Sequence, residues 1–210
     1  MSLADRGQLS RERIAEEAVA IIDRDGLSGL SMRKLGAALG IEAMSLYYYV
    51  TNKEDLLDAV LDVLYARVDI PESNGPDEWE SVVRSGLRSL HAVLSAHPSA
   101  VALFPVRAAS TPQTFSTLHR GYLALRAAGL GPVDAYTSLH VCVSFVIGHA
   151  SEALGATQHK RGVDTVPAEL LDEESVQEFV SAVGTAVADG LFESGLDLMI
   201  AALRSRFDLP

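Results

Sequence analysis

The sequence predicts an all-α fold made of a small N-terminal head of three helices and a larger helical body. Apolar residues recur at helical spacing along the 210 residues, and no alternating strand pattern persists. The clearest break is DIPESNGPDE at 69–78, whose two prolines, glycine and four acidic residues are typical of a loop between two units. We therefore divide the chain into residues 1–69 and 70–210, and the 48% of apolar residues are ample for one or two domains.

Capping and turn residues bound the first two helices of the head. Ser10 fits the N-cap of the first helix, which Gly26 ends. Ser31 can cap a second helix, Met32 to Leu39, which Gly40 breaks. The apolar stripe of the first helix consists of Ile14, Ala18, Ile21 and Ile22.

Two further helices follow Gly40. A short third helix is predicted from about Glu42 to Tyr48, and a fourth runs to about Val68. TNKE at 51–54 has the form of a capping box, with Thr51 as the N-cap and Glu54 three residues later. The predicted inner face of the fourth helix consists of Leu56, Leu57, Val60, Leu61 and Leu64.

The second and third helices have the pattern of a helix-turn-helix. Gly40 supplies the tight turn that two steeply crossing helices need, and the small residues at 36–38 allow a close approach. The second helix of such a pair lies in the DNA major groove. Tyr47 and Tyr48 at its predicted end, together with Tyr49, cannot all face one core because consecutive helical side chains point about 100° apart. Outward-facing aromatic rings indicate a surface where something docks.

The body is predicted to consist of longer helices. Pro112 fits the first position of one of them, after the capping sequence STP, and residues 158–173 are interpreted as a mobile connection. The predicted helical ranges are 79–95, a short piece around 100–104, 112–128, 135–154, 175–188 and 191–207.

Composition limits the partners and the compartment. The net charge is −11, yet residues 1–53 hold seven basic and seven acidic side chains, so the excess acid lies in the rest of the chain. Only the head is therefore expected to approach a polyanion. The single Cys142 rules out a disulfide framework and a cysteine cluster for zinc. With neither a signal-peptide core nor an apolar stretch of 18 residues, we expect a cytoplasmic protein without a membrane span.

An enzyme and a purely structural helical dimer are the competing classes. The sequence has no G-x-S-x-G, P-loop or H-E-x-x-H motif, so we expect no catalytic site, metal site or cofactor. A structural dimer would account for the body but leaves the head unexplained.

The stretch GLSMRKLGAALGIEAMSLYYYVTNKEDLLDAVLDVL resembles the DNA-binding domain of the TetR (tetracycline repressor-like) family of bacterial transcription regulators. The resemblance covers about Arg11 to Leu64 and depends on Leu35–Gly40, Leu46–Val50 and Lys53–Leu57. Gly36 stands where the family usually has alanine. The resemblance implies a ligand-responsive regulator, most often a repressor, that binds a palindromic double-stranded DNA operator as a homodimer.

The family pattern also implies which residues contact DNA. Tyr47 inherits a contact to the DNA backbone or a base, and Lys53 lies where a helix start favours phosphate. The alternatives to DNA contact are that the tyrosines only pack the third helix against its neighbours, and that the lysines are solvated surface charges. The complete set of expected DNA-binding residues is Arg33, Lys34, Ala43, Met44, Ser45, Tyr47, Tyr48, Tyr49 and Lys53.

For the body, the resemblance implies a small-molecule pocket and a four-helix dimer interface. The interface is expected from residues 133–154 and 191–206, and the effector is expected to be apolar or amphipathic. True tetracycline repressors have a histidine in the loop around 104–107 for the drug's magnesium, and the sequence Phe-Pro-Val-Arg here disfavours that ligand. The expected lining residues are Phe104, Arg107, His119, Tyr122, His140, Ser144, His149 and Glu152, although a histidine on an apolar helix is more often a core residue.

Overall fold

The computed structural model describes residues 9–72, 75–106, 111–158, 174–188 and 190–210, and within these ranges it is helical without strands. The all-α prediction is therefore confirmed. The helices are α1 (Arg11–Asp25), α2 (Met32–Leu39), α3 (Ala43–Leu46), α4 (Lys53–Ala66), α5 (Trp79–Ala96), α6 (Pro112–Ala127), α7 (Pro132–Gln158), α8 (Glu174–Ala188) and α9 (Leu191–Phe207), with short 3₁₀ turns at Leu27–Gly29, Pro76–Glu78 and Pro98–Leu103.

Local capping chemistry sets the bounds of α1 and α2 as predicted. The Ser10 hydroxyl accepts from the Arg13 amide at 3.1 Å, and the Ser31 hydroxyl accepts from the Lys34 amide at 3.3 Å. Gly40 ends α2 in the left-handed region at φ 69°, a conformation that glycine adopts without strain. These ends depend only on neighbouring residues, which is why the sequence predicts them.

The predicted capping box of α4 is wrong. Asn52, and not Thr51, is the N-cap, because its side-chain oxygen accepts from the Asp55 amide at 2.9 Å. Thr51 instead donates its amide and its hydroxyl to the Asp55 carboxylate, at 2.7 and 3.0 Å. Since Asp55 holds Thr51 from the first turn of α4, the helix begins one residue later than the Thr51–Glu54 spacing suggests.

The third helix is also shorter than predicted. It ends at Leu46, so the three tyrosines lie in the turn that follows and not in the helix. Leu46 and Val50, on either side of the tyrosines, have no exposed surface. A Cβ on Gly36 would lie 3.0 Å from the Ile41 carbonyl oxygen and 3.1 Å from the Ala43 amide nitrogen. The lack of a side chain at Gly36 therefore permits the close approach of α2 and α3.

The helix α4 joins the head to the body. It packs against α1 of the head and against α6 of the body. The Thr111 hydroxyl that caps α6 donates to the Asp62 carboxylate on α4, and Tyr65 is 98% buried. A shift of α6 would therefore be transmitted directly to α4.

A polar network fastens the same junction. The Arg67 guanidinium, just after α4, pairs with Glu16 on α1 and lies 2.7 Å from Nε2 of His97 at the end of α5. A guanidinium can only donate, so Nε2 accepts and Nδ1 carries the proton that it donates to Asp23 at 2.8 Å. Side chains from α1, α4 and α5 thus share one chain of polar contacts.

In the body, α5, α6 and α7 pack together and α9 packs on α5 and α7. The indole of Trp79 is fully buried and donates to the Pro210 carbonyl at 3.2 Å, which ties the last residue to the start of α5. Gly195 lets α9 approach α7, since a Cβ there would lie 2.4 Å from the Phe145 ring. The connection expected at 158–173 lies, from residue 159 on, outside the described residues.

Candidate functional site

The turn after α3 presents its aromatic rings to solvent. Tyr48 is 88% exposed, Tyr47 is 44% exposed and Tyr49 is 39% exposed. Met44, in α3 itself, is 71% exposed. The buried neighbours Leu46 and Val50 anchor the segment. Packing therefore does not explain the Tyr48 ring, whereas Tyr47 and Tyr49 combine partial packing with an outward surface. Of the other residues expected to contact DNA on α3, Ala43 and Ser45 are half-buried.

Arg11 on α1 forms hydrogen bonds that fix the position of this turn. Its guanidinium donates to the Tyr49 carbonyl at 3.2 Å and to the Asp55 carbonyl at 3.0 Å, and it pairs with the Asp55 carboxylate at 2.5 Å. The arginine, together with the Thr51 donors, lowers the pKa of Asp55 to about 2. We call these contacts the Arg11 clamp. Local sequence patterns do not reveal this role of Arg11, because its partners lie 38 and 44 residues away.

The three basic side chains expected to contact DNA differ in their surroundings. Arg33 is exposed near the start of α2. Lys34 instead pairs with Asp25 at 2.7 Å, and Arg24 with Lys34 lowers the pKa of that carboxyl. The Lys53 ammonium donates to the Leu30 carbonyl at 3.1 Å. An ammonium has three protons, so this bond leaves it able to donate to a phosphate as well.

A cavity of about 660 Å³ opens between α6 and α7 and reaches the end of α4. This volume lies in the range of sites that hold drug-sized molecules. Five of the residues expected to bind a ligand lie in its wall: Phe104, His119, Tyr122, His140 and Ser144. The other lining residues are Tyr65, Pro105, Phe115, Leu118, Tyr136, Leu139, Val143, Ile147 and Gly148.

Two of the expected ligand residues lie elsewhere. Nδ1 of His149 is 3.1 Å from Nε2 of His91, and its ring packs 5.4 Å from that of Phe192, so it belongs to a cluster between α5, α7 and α9. Glu152, one turn further along α7, is exposed and does not line the cavity. The helix α7 is apolar on most of its circumference, so the sequence did not show which side faces the cavity. Arg107 falls outside the described residues.

Nine cavity residues were not predicted, and for two of them the sequence held a signal. Phe115 and Tyr136 lie four residues before His119 and His140, and i, i+4 spacing places each pair on one helix face. Tyr65 was missed because it lies on α4, which was assigned to the head. Burial raises the pKa of Tyr65 to about 12 and keeps its hydroxyl neutral.

A second face of the body carries exposed apolar side chains on α7 and α9. Val141 on α7 is 54% exposed and Leu198 on α9 is 73% exposed. A groove of about 280 Å³ runs between the two helices and includes Cys142, whose pKa is raised to about 11 by burial. A thiol with that pKa is protonated at neutral pH and is therefore unreactive.

Two properties of the described residues bear on other functions. No group of three or more His, Cys, Asp or Glu side chains among them is arranged to hold a metal ion. Within the same ranges, no helix has the length and apolar character that a bilayer span requires.

Comparison with known proteins gives matches along nearly the whole chain. Residues 14–60 match the family model for bacterial regulatory proteins of the tetR family, and residues 70–207 match the model for the tetracyclin repressor-like C-terminal domain. An HTH-type transcriptional regulator of Saccharopolyspora erythraea is 33% identical, over 93% of this chain and 84% of that protein. The HTH-type transcriptional repressor DrrR1 of Streptomyces coeruleorubidus is 30% identical, over 77% of this chain and 60% of that protein.

A solved structure agrees with these matches. The TetR family protein ActR of Streptomyces coelicolor, in complex with actinorhodin, superposes with a TM-score of 0.80 at 30% identity and covers 95% of this chain and 98% of that one. The small helix-turn-helix head corresponds to the first family model, and the larger helical body corresponds to the second. The chain is a transcriptional regulator that belongs to the TetR family.

Proposed function

We propose that this regulator is a repressor that binds a palindromic DNA operator as a homodimer and leaves it when a small molecule enters the cavity. One observation carries the proposal: a single helix, α4, borders both candidate surfaces. Lys53 begins it beside the turn of exposed tyrosines, and Tyr65 near its end is part of the cavity wall. Fourteen residues at 1.5 Å each make α4 about 21 Å long.

For DNA, the proposal assigns contact to residues 1–69 and specifically to the surface formed by α2, α3 and the turn after α3. Tyr48 and Met44 present apolar surface that suits sugars and thymine methyl groups, and a tyrosine hydroxyl can also donate to phosphate. Arg33 and Lys53 supply the charge. The excess acidic residues lie after residue 53, so the body is expected to repel DNA and to leave contact to the head.

For dimerisation, the proposal assigns residues 70–210 and within them α7 and α9. Exposed apolar residues on both helices, Val141 and Leu198 among them, favour burial against a second copy. Two-fold symmetry would place both recognition surfaces on one side of the dimer. They must then lie about 34–36 Å apart, or a multiple of that distance, to enter successive major grooves on one face of the duplex.

For release, the proposal uses the contact between the cavity and α4. A ligand that separates α6 from α7 displaces Thr111, which caps α6 and holds Asp62 of α4. It also presses on Phe104, whose ring centroid lies 5.1 Å from that of Tyr65. Moving α4 changes the spacing of the two heads. A ligand that favours the displaced state by a few kcal/mol is enough to shift occupancy strongly.

The relatives support the same assignment. DrrR1 is a repressor, and ActR has been crystallised with actinorhodin, a small molecule. Both similarities are about 30%, so we carry over repression and ligand response and not the identity of either ligand.

The test begins by selecting bound fragments from the source genome in the presence of heparin competitor. We expect fragments that share an inverted repeat, and a dimer by sedimentation at the concentrations used. Leu198→Glu should give a monomer that no longer retains the repeat, whereas Ser116→Glu, an exposed change on α6 that lies outside the proposed interface and does not line the cavity, should leave both properties intact. Fragments without a common repeat, or a monomer that binds as tightly as the dimer, would contradict the proposal.

A further inference from the structure

A carboxylate at the end of α1 holds two cations of the head. One oxygen of Asp25, Oδ2, lies 2.7 Å from the Lys34 ammonium on α2. The same oxygen lies 3.0 Å from Nε and 2.9 Å from Nη2 of Arg24. Two positive side chains, one from each helix, therefore share a single acidic partner.

The connection between α1 and α2 brings these partners together. Its short turn, Leu27–Gly29, folds back on the last residue of α1. A Cβ on Gly29 would lie 2.6 Å from the Cβ of Asp25 and 3.8 Å from Nζ of Lys34. A side chain at position 29 would displace the carboxylate, so the packing of the turn and the ion pair depend on each other.

The ion pair lies at the end of the head that carries the basic side chains assigned to DNA. The Lys53 ammonium, at the start of α4, donates to the carbonyl of Leu30, which comes just before α2. Arg33 is exposed at the start of α2, next to Lys34 in the chain. Asp25 therefore places a negative charge close to the cations that the proposed function assigns to phosphate.

The partner of Lys34 differs in charge from that of Lys53. A neutral carbonyl leaves the charge of Lys53 undiminished, whereas the carboxylate offsets that of Lys34. Arg24 and Lys34 lower the pKa of Asp25, so it stays ionised at neutral pH. The side chains of Arg24 and Lys34 are 60% and 41% exposed, so a phosphate could reach both of them.

Stability of α1 does not account for an acid at this position. Asp25 is the last residue of the helix, where the partial negative charge of the helix end disfavours a carboxylate. Ion pairs with this much exposure also contribute little to folding. The effect of Asp25 on its two cations is then the property that its position explains.

Building on the proposed function, we propose that Asp25 weakens the sequence-independent part of DNA binding by keeping Lys34 and Arg24 from duplex phosphates. A phosphate that approaches either cation must displace the carboxylate or be repelled by it. The surface assigned to base readout, around Met44, does not include this group and is unaffected. Asp25 thereby shortens the time that the regulator spends on unrelated DNA.

The test measures binding to a short duplex of random sequence by fluorescence anisotropy, for the full-length wild type and Asp25→Asn, between 50 and 200 mM KCl. Each cation released to phosphate steepens the salt slope by about 0.9, so the affinity gain is about 3.5-fold larger at 50 mM than at 200 mM. We expect a steepening of about 1 to 2, for one or both cations. The inverted repeat recovered from the genomic selection should gain by the same factor.

Two controls separate the ion pair from net charge and from folding. Glu12→Gln removes the same charge from an exposed position at the other end of α1 and should leave the slope unchanged. In a protein that also carries Arg24→Gln and Lys34→Gln, Asp25→Asn should no longer change the slope. Circular dichroism should give a Tm near wild type for Asp25→Asn, because the pair is exposed.

The outcomes distinguish this inference from the proposed function. An unchanged slope in Asp25→Asn, or the same steepening without the two cations, would overturn the inference, and an inverted repeat in the selected fragments would leave the proposed function standing. A steeper slope in a protein whose selected fragments share no repeat would support the inference and contradict the proposed function. If neither protein binds duplex at 50 mM KCl, both are contradicted.

Discussion

Replacing Asp55 with asparagine tests the Arg11 clamp under the exposed tyrosines. In the folded protein the carboxyl has a pKa of about 2 against an ordinary value of 3.8. Taken at face value, that difference corresponds to about 2.5 kcal/mol of folding free energy at neutral pH. The Asp55 and Arg11 side chains are 27% and 40% exposed, so solvent screens the pair, and we expect about 1 kcal/mol.

The pH dependence has a definite sign. Because the folded pKa is depressed, the stabilisation by Asp55 is fully present above pH 3.8 and is lost as the pH falls through about 2. The difference in unfolding free energy between wild type and Asp55→Asn should therefore be about 1 kcal/mol at pH 7 and shrink steadily below pH 4. For a chain of 210 residues, the loss at pH 7 lowers Tm by about 2–4 °C.

Urea denaturation followed by circular dichroism at pH 7, 5, 4 and 3 measures this difference. Glu42→Gln is the control, since it removes an exposed carboxylate of the same head that makes no side-chain capping bond. We also expect Asp55→Asn to weaken operator binding, because Arg11 then holds the Tyr49 carbonyl less firmly. A difference that is the same at pH 7 and pH 3 would refute the reasoning about the clamp.

Four further substitutions test the DNA surface and the packing of α9 on α7. Tyr47→Ala should weaken operator binding while Tm and dimerisation stay near wild type, and a melted head would show that the ring belongs to the core. In filter-binding titrations, Lys53→Ala should weaken binding to all sequences alike and lower the salt slope by about 1. Met44→Ala should instead change sequence preference. If the two substitutions have equal effects on a panel of operator variants, that result would count against base readout by α3. Gly195→Ala places a methyl against the Phe145 ring and should cost about 1–3 kcal/mol in unfolding free energy, and an unchanged Tm would mean that α9 can move away from α7.

The sequence predicts those parts of the fold that depend on local chemistry. Ser10, Ser31 and Gly40 set helix ends through contacts with residues three or four positions away, and all three are confirmed. Thr51 is not the N-cap, because its amide donates to the Asp55 carboxylate. Asp55 itself pairs with Arg11 on a distant helix. Contacts across 44 residues leave no trace in local spacing.

The cavity is predicted only in part for a related reason. Helical periodicity identifies a helix with an apolar stripe, but α7 is apolar on several sides and contacts both the cavity and α9. His140 and His149 therefore look alike in the sequence, although one lines the cavity and the other packs on Phe192. Tyr65 was missed because only the folded chain brings the end of α4 into the body.

The central claim is that the cavity and the DNA surface are coupled through α4, and one pair of titrations tests it directly. Operator affinity is measured by fluorescence anisotropy with and without a saturating cavity ligand, and ligand affinity is measured with and without saturating operator. Thermodynamic linkage requires both affinities to change by the same factor. We predict that each falls about 5- to 150-fold, the usual range of coupling between two sites. An operator affinity that is the same with the cavity empty and filled would contradict the account.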